Sequence, residues 1–258
     1  MPRNLSTNRS LDQGVSGTSG DSLVGARATI GDFAQRLIQD VREMVSAGEI
    51  ALLRQQLAAM DARCADPDCP LPPDPTTPTI VRDETALAGL APIVAGADAL
   101  VVDLETSGLD PRKGDIIGIG IAVAGATYYI PINHRGEEDH QLRAGQLPLA
   151  RALDALRLGE KRIIADNAKF ELKWLRRHGG ITPVVAWDTM LAARLMRSDL
   201  PAGLKALAMR ELDVPDWSLP KADLARIEFL SIETVAAYCA RDCWYTHLLY
   251  LKQRDACP

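Results

Sequence analysis

The stretch VVDLETSGLD, residues 101–110, sets Asp103 and Glu105 two positions apart at the end of a β-branched run. Acidic residues are poor strand formers, and a buried charge is costly unless it is paired or bound to a cation. Side chains alternate between the faces of a strand, so the two acids, separated by Leu104, emerge on the same face. Any fold open to this chain must therefore accommodate two neighbouring negative charges at one place on a sheet. ALVVDLE, DIIGIGIAVAG and ATYYIPI read as three consecutive strands, with Pro111–Gly114 in the first turn and a tight hairpin at Gly125 and Ala126. Helical periodicity returns at LPLARALDALRLG, and a short strand, RIIADN, leads into a helix over AKFELKWLRRHGG that stops at Gly179 and Gly180. WDTMLAARLMRSD, LKALAMREL and SIETVAAYCARDCWYTHLLYLKQ read as helices. Strands first and helices interleaved later predict an α/β fold, a mixed sheet flanked by helices.

Four segments follow from composition. Residues 1–28 are rich in Ser, Gly, Asn and Thr and are expected to be a disordered tail. Residues 29–64 carry Phe33, Leu37, Val41 and Met44 at helical spacing and are expected to form a helical appendage. Residues 65–78 are a Pro-rich linker, and residues 79–258 form the main domain. An apolar content of 47% in 258 residues supports one sizeable core. No apolar run approaches the roughly 20 residues of a membrane span, and the N-terminus lacks a signal-peptide centre, so the expected location is cytoplasmic, with no membrane partner.

The five cysteines are odd in number and sparse, which makes reduced thiols the expectation. Cys64 and Cys69 lack the second pair that a zinc site would need. The net charge of −5 does not mark a passive phosphate-gripping surface. Nor does it exclude a nucleic-acid substrate, because an enzyme that cuts phosphodiesters with metal ions holds them with its own carboxylates, so charge alone leaves the question open. GIGIAVAG lacks the G-x-G-x-x-G spacing of a dinucleotide loop. Lys169, Lys173, Arg176 and Arg177 read as a solvated helix face within reach of phosphate.

Two further pairs extend the acidic pattern. Asn167 and Glu171 lie four apart at the start of one helix, and Tyr238 and Asp242 four apart on another, each pair on one helix face. Four acids brought together would repel one another and raise one another's pKa, so the cluster calls for divalent cations. Two such ions roughly 3.5–4 Å apart are the usual arrangement for phosphodiester chemistry.

These residues carry a resemblance. DLETSGLD, NAKFE and YCARD stand in the order and at the intervals of the three motifs of DnaQ-like 3′–5′ exonucleases, and the chain resembles the proofreading domain of family A DNA polymerases, in the DEDDy branch. YYIPINH and WDTMLAARLM resemble the segments between the motifs, and the likeness runs from about residue 80 to 255. One position departs: the family's second-motif Asp is Glu171 here, a carboxylate one methylene longer. Ala237 stands where the histidine branch has its His, leaving Tyr238 to place the chain in the tyrosine branch.

The resemblance implies a ribonuclease H-like fold and two Mg²⁺ or Mn²⁺ ions held by Asp103, Glu105, Glu171 and Asp242, with Tyr238 orienting the attacking water. It implies substrate contacts from Thr106, Leu109, Asn167 and Phe170, of which Leu109 matches the leucine that wedges against the terminal base. Three of them have a plainer reading: Leu109 and Phe170 as core, Asn167 as a helix cap. The implied substrate is the 3′ end of single-stranded DNA, with ribonuclease D-like RNA processing and a non-catalytic nucleic-acid or polymerase-binding module as alternatives. If Pro258 is the natural end, the exonuclease is freestanding and serves a separately encoded DNA polymerase, docked through the N-terminal helices, in a bacterium or a bacteriophage.

Overall fold

A computed structural model describes residues 76–256. The expectations for the 1–28 tail, the 29–64 helices and nearly all of the 65–78 linker lie outside the described residues. The strands are β1 (Thr79–Ile80), β2 (Ala99–Thr106), β3 (Ile116–Val123), β4 (Ala126–Pro131), β5 (Arg162–Ala165) and β6 (Val184–Asp188). The helices are α1 (Glu84–Gly96), α2 (Leu149–Ala155), α3 (Lys169–Trp174), α4 (Thr189–Met196), α5 (Leu204–Leu212), α6 (Lys221–Leu224) and α7 (Ile232–Ala256). A π-helical turn, Leu175–Gly179, prolongs α3 and ends at Gly180 with φ +66°.

The strands form one mixed sheet in the order β1-β4-β3-β2-β5-β6. β2, β3 and β4 are antiparallel neighbours, while β2, β5 and β6 run parallel. This is the ribonuclease H-like α/β arrangement. Two corrections concern the strands. Ala124 and Gly125 occupy the hairpin with φ +51° and +75°, whereas Ala126 already pairs with Val123 as the first residue of β4. The turn therefore lies one residue earlier than the sequence suggested, because a two-residue turn of this hand needs positive φ at both central positions. Trp187 and Asp188, assigned to a helix by periodicity, belong to β6, whose parallel pairing with β5 is a non-local contact that no local pattern announces.

Alternation along β2 sorts the two faces. Leu100, Val102 and Leu104 pack with Leu87, Leu90 and Val94 of α1 and with Trp174 and Leu175 on one side. Val101 packs with Val235, Ala236, Cys239 and Cys243 of α7 on the other. Each fully buried aliphatic side chain contributes roughly 1.5–3 kcal/mol. The α7 face of β3 is lined by small residues for a steric reason. A Cβ on Gly120 would lie 2.3 Å from Cys239 Sγ and 2.7 Å from Cys243 Sγ, and one on Gly118 would lie 2.0 Å from the Tyr129 hydroxyl. The glycines that fail as a nucleotide loop thus let α7 and Tyr129 close onto the sheet. The Tyr129 hydroxyl shares a 2.8 Å hydrogen bond with His134 Nε2. Burial holds the His134 imidazole down to about 4, so it is neutral at physiological pH and braces the β4 end of the sheet. Among the described residues no helix is long and apolar enough to cross a membrane.

Candidate active site

The face of β2 that packs on α7 also bears Asp103 and Glu105. Tyr238 and Asp242 project from α7 one turn apart, and the closeness that Gly120 permits brings the two elements together. One carboxylate oxygen from each of Asp103, Glu105 and Asp242 lies within 4.8 Å of the others. Glu105 and Asp242 are buried, at 7% and 6% exposure. Glu171, at the start of α3, is buried too, close enough to Asp103 for the two charges to interact.

The electrostatics record the crowding. Burial, then the Asp242 charge, pushes the Asp103 carboxyl up to about 7. Burial and the Asp103 charge hold both Glu105 and Glu171 well above the usual carboxylate range. Glu105 Oε1 and Glu171 Oε2 are buried without a hydrogen-bond partner. Carboxylates raised by burial first and by mutual repulsion second, with lone pairs unsatisfied, are a donor set suited to a hard divalent cation, so the residues present fit the group that the acidic pattern calls for.

Two residues that the sequence did not mark complete the site. Lys205 of α5 donates from Nζ to both carboxylate oxygens of Asp242 and, at 2.9 Å, to the Tyr238 hydroxyl. Its ammonium also sits 4.4 Å from the Tyr238 ring centroid and 5.0 Å from that of Trp217. Trp217 Nε1 donates to Asp242 Oδ1. Lys205 therefore sets a positive charge against these acids when no cation is bound. Replacing it by Met should leave Asp242 buried and underpaired. The melting temperature in chelator should then fall on the order of 3–10 °C, and the rise on adding Mg²⁺ should exceed that of the parent. Thermal scans with and without Mg²⁺ check this, and an unchanged rise would show that Lys205 and the cation do not share the same carboxylates.

The remaining predicted residues fall as follows. Leu109 is 88% exposed, so the core reading fails and its side chain stands free near the end of β2. Phe170 is half-buried and packs 5.9 Å from the Trp174 ring, consistent with its core reading. Thr106 Oγ1 donates to the Gly108 carbonyl at 2.7 Å, which commits its hydroxyl to the turn. Asn167 does not cap α3 with its side chain. It adopts φ +64°, a left-handed conformation that Asn tolerates. The cap comes from Asp188, which accepts from the Asn167 and Ala168 amides at 3.1 and 2.9 Å and also caps α4 through Leu191 N. Asp166 accepts from Thr189 Oγ1 at 2.7 Å, and burial raises its carboxyl to about 6.

A ribonuclease H-like sheet that gathers acids from its central strand opposite a tyrosine-bearing helix defines a nuclease of the DnaQ-like class. Residues 78–255 match the family model described as 3′–5′ exonuclease, and the chain belongs to that family of hydrolytic exonucleases. It is 33% identical over 231 residues to DNA polymerase I of Chloroflexus aurantiacus, a match covering 83% of this chain and 24% of the relative. It is 32% identical over 161 residues to DNA polymerase I of Synechocystis, covering 58% of this chain and 16% of the relative. The chain thus spans a quarter or less of the length of these polymerases. Among solved structures, Escherichia coli RNase D, an exoribonuclease involved in structured RNA processing, superposes with a TM-score of 0.50 at 16% identity, over 69% of this chain and 44% of that one. That likeness is one of fold.

Proposed function

We propose that the domain removes nucleotides from the 3′ ends of single-stranded DNA, with two divalent cations, Mg²⁺ or Mn²⁺, held by Asp103, Glu105, Glu171 and Asp242. The observation that carries the reading is the convergence of the Asp103, Glu105 and Asp242 carboxylates within 4.8 Å beside the unpartnered oxygens of Glu105 and Glu171. Bound there, the cations supply a water of lowered pKa and a counter-charge for the leaving 3′ oxygen.

The chain's own groups supply the positioning. Burial and the Asp242 charge hold the Tyr238 phenol far above its ordinary value, so it stays protonated and acts by hydrogen bonding, orienting the attacking water rather than taking its proton. Leu109, exposed in the segment just after β2, offers an apolar face to the terminal base. Asn167, released from capping, is left to contact the terminal nucleotide. DNA is favoured over RNA by the 33% identity to a DNA polymerase I across most of the chain. Proofreading for a polymerase engaged through residues 29–64 is the biological setting that this substrate suggests.

End-labelled single-stranded DNA and RNA, incubated with Mg²⁺ or Mn²⁺, test the reading. Stepwise shortening of DNA from the 3′ end is expected, faster than that of RNA, with none in chelator. Faster RNA shortening would move the protein to RNA processing, and no shortening of either would leave a binding module. Glu171→Gln removes one negative charge at nearly constant shape. It should lower turnover at least tenfold, a barrier change of about 1.4 kcal/mol, with the fold intact. Glu171→Asp should retain activity. Parent-like turnover in Glu171→Gln would place Glu171 outside the cation site and turn attention to Asp166.

A further inference from the structure

Asp103 belongs to a second cluster that the exonuclease reaction does not use. Cys239 and Cys243 lie one turn apart on α7, both free thiols at 0% exposure. Their sulfurs converge, since a Cβ on Gly120 would sit 2.3 Å from one and 2.7 Å from the other. Cys239 Sγ donates to Asp103 Oδ2 at 3.4 Å, and the two sulfurs and an Asp103 oxygen all lie within 4.8 Å of one another. Two sulfurs at i and i+4 with a carboxylate between helix and strand are a sulfur-rich donor set, and the partly exposed Asp103 opens it towards solvent. Oxygen donors suit Mg²⁺, whereas thiolates select Zn²⁺ and its softer analogue Cd²⁺.

We propose that Cys239, Cys243 and Asp103 form an inhibitory site for a thiophilic cation such as Zn²⁺, which withdraws the Asp103 carboxylate from the Mg²⁺ set. Binding replaces two S–H bonds by two metal–sulfur bonds, and the two protons pass to solvent, with no change of oxidation state. The inhibition rests on the exonuclease reading, whereas the binding does not.

Cd²⁺ is the spectroscopic probe, added to the full chain with Cys64, Cys69 and Cys257 replaced by Ser. One equivalent should produce the ultraviolet charge-transfer band of Cd²⁺–thiolate bonds, and Cys239→Ala or Cys243→Ala should reduce or abolish it. In assays with Mg²⁺ in excess, Zn²⁺ should inhibit this parent at least tenfold more strongly than its Cys243→Ala variant, whose rate without Zn²⁺ is unchanged. No band from the folded protein, or an equal band after either substitution, overturns the site. A band with equal Zn²⁺ sensitivity in parent and variant overturns the withdrawal of Asp103. A band that responds to both substitutions in a protein without nuclease activity upholds the site and overturns the exonuclease reading instead.

Discussion

Asp103→Asn should lower exonuclease turnover by about a thousandfold or more while leaving the domain folded, and in the absence of divalent cation the variant should be at least as stable as the parent. Asp103 is the member common to both ligand clusters, and it is partly exposed on the strand face that packs on α7. Asn keeps the shape and one carbonyl oxygen but lacks the charge that a cation needs. The stability half of the expectation follows from linkage. The Asp103 carboxyl, raised to about 7 in the folded protein from an ordinary value of 3.8, binds its proton more tightly folded than unfolded. Its ionisation therefore costs stability progressively as the pH rises from about 4 to about 7, and the full cost is present above that window. A neutral Asn never incurs it. Melting curves at pH 8 in chelator should place the variant at or above the parent, and millimolar Mg²⁺ should raise the parent's melting temperature more than the variant's. A variant that hydrolyses DNA within tenfold of the parent would remove Asp103 from the reaction.

Much of this site was legible because its parts are local patterns. Period 2 put Asp103 and Glu105 on one face of β2, and a spacing of four put Tyr238 and Asp242 on one face of α7, which the structure bears out. Lys205 and Trp217 were not legible, because they meet Asp242 only through the packing of α5 and the segment after it against α7. In sequence Lys205 looks like any lysine of an amphipathic helix, and Trp217 like an aromatic in a proline-flanked loop. The signal that was available is chemical. A cluster of acids implies a positive group nearby even before a cation binds, and a tryptophan N–H that becomes buried needs an acceptor. The cap of α3 escaped for the same reason as β6. Asp188 comes from a strand placed by pairing with β5, so the nearer Asn167 drew the assignment.

Gly120→Ala tests whether the approach of α7 to β3 is what assembles the site. A single methyl there would lie 2.3 Å from Cys239 Sγ, 2.7 Å from Cys243 Sγ and 3.5 Å from the Asp103 carbonyl oxygen, and the first two separations are shorter than side-chain carbons tolerate. Both sulfurs are fixed on a buried helix face, so relief requires moving α7 away from the sheet. Overpacking of this kind costs about 1–3 kcal/mol, a fall of roughly 2–12 °C in melting temperature for a domain of this size. The catalytic penalty should be larger than the loss of stability suggests. Displacing α7 carries Tyr238 and Asp242 away from Asp103 and Glu105, and a shift of about 1 Å is enough to lower turnover by about a hundredfold. Gly89→Ala on α1 is the control, since nothing lies within 4 Å of the added carbon there. It should be neutral or slightly stabilising, because Ala is the better helix former. The decisive comparison adds Cys239→Ala and Cys243→Ala to Gly120→Ala, exchanging two sulfurs for the space the methyl needs. If steric closeness is the cause, the triple variant should recover most of the lost activity, a non-additivity confined to residues in contact. Should it remain as impaired as Gly120→Ala alone, the defect would come from the backbone of β3, and the small residues along that strand would need a different explanation.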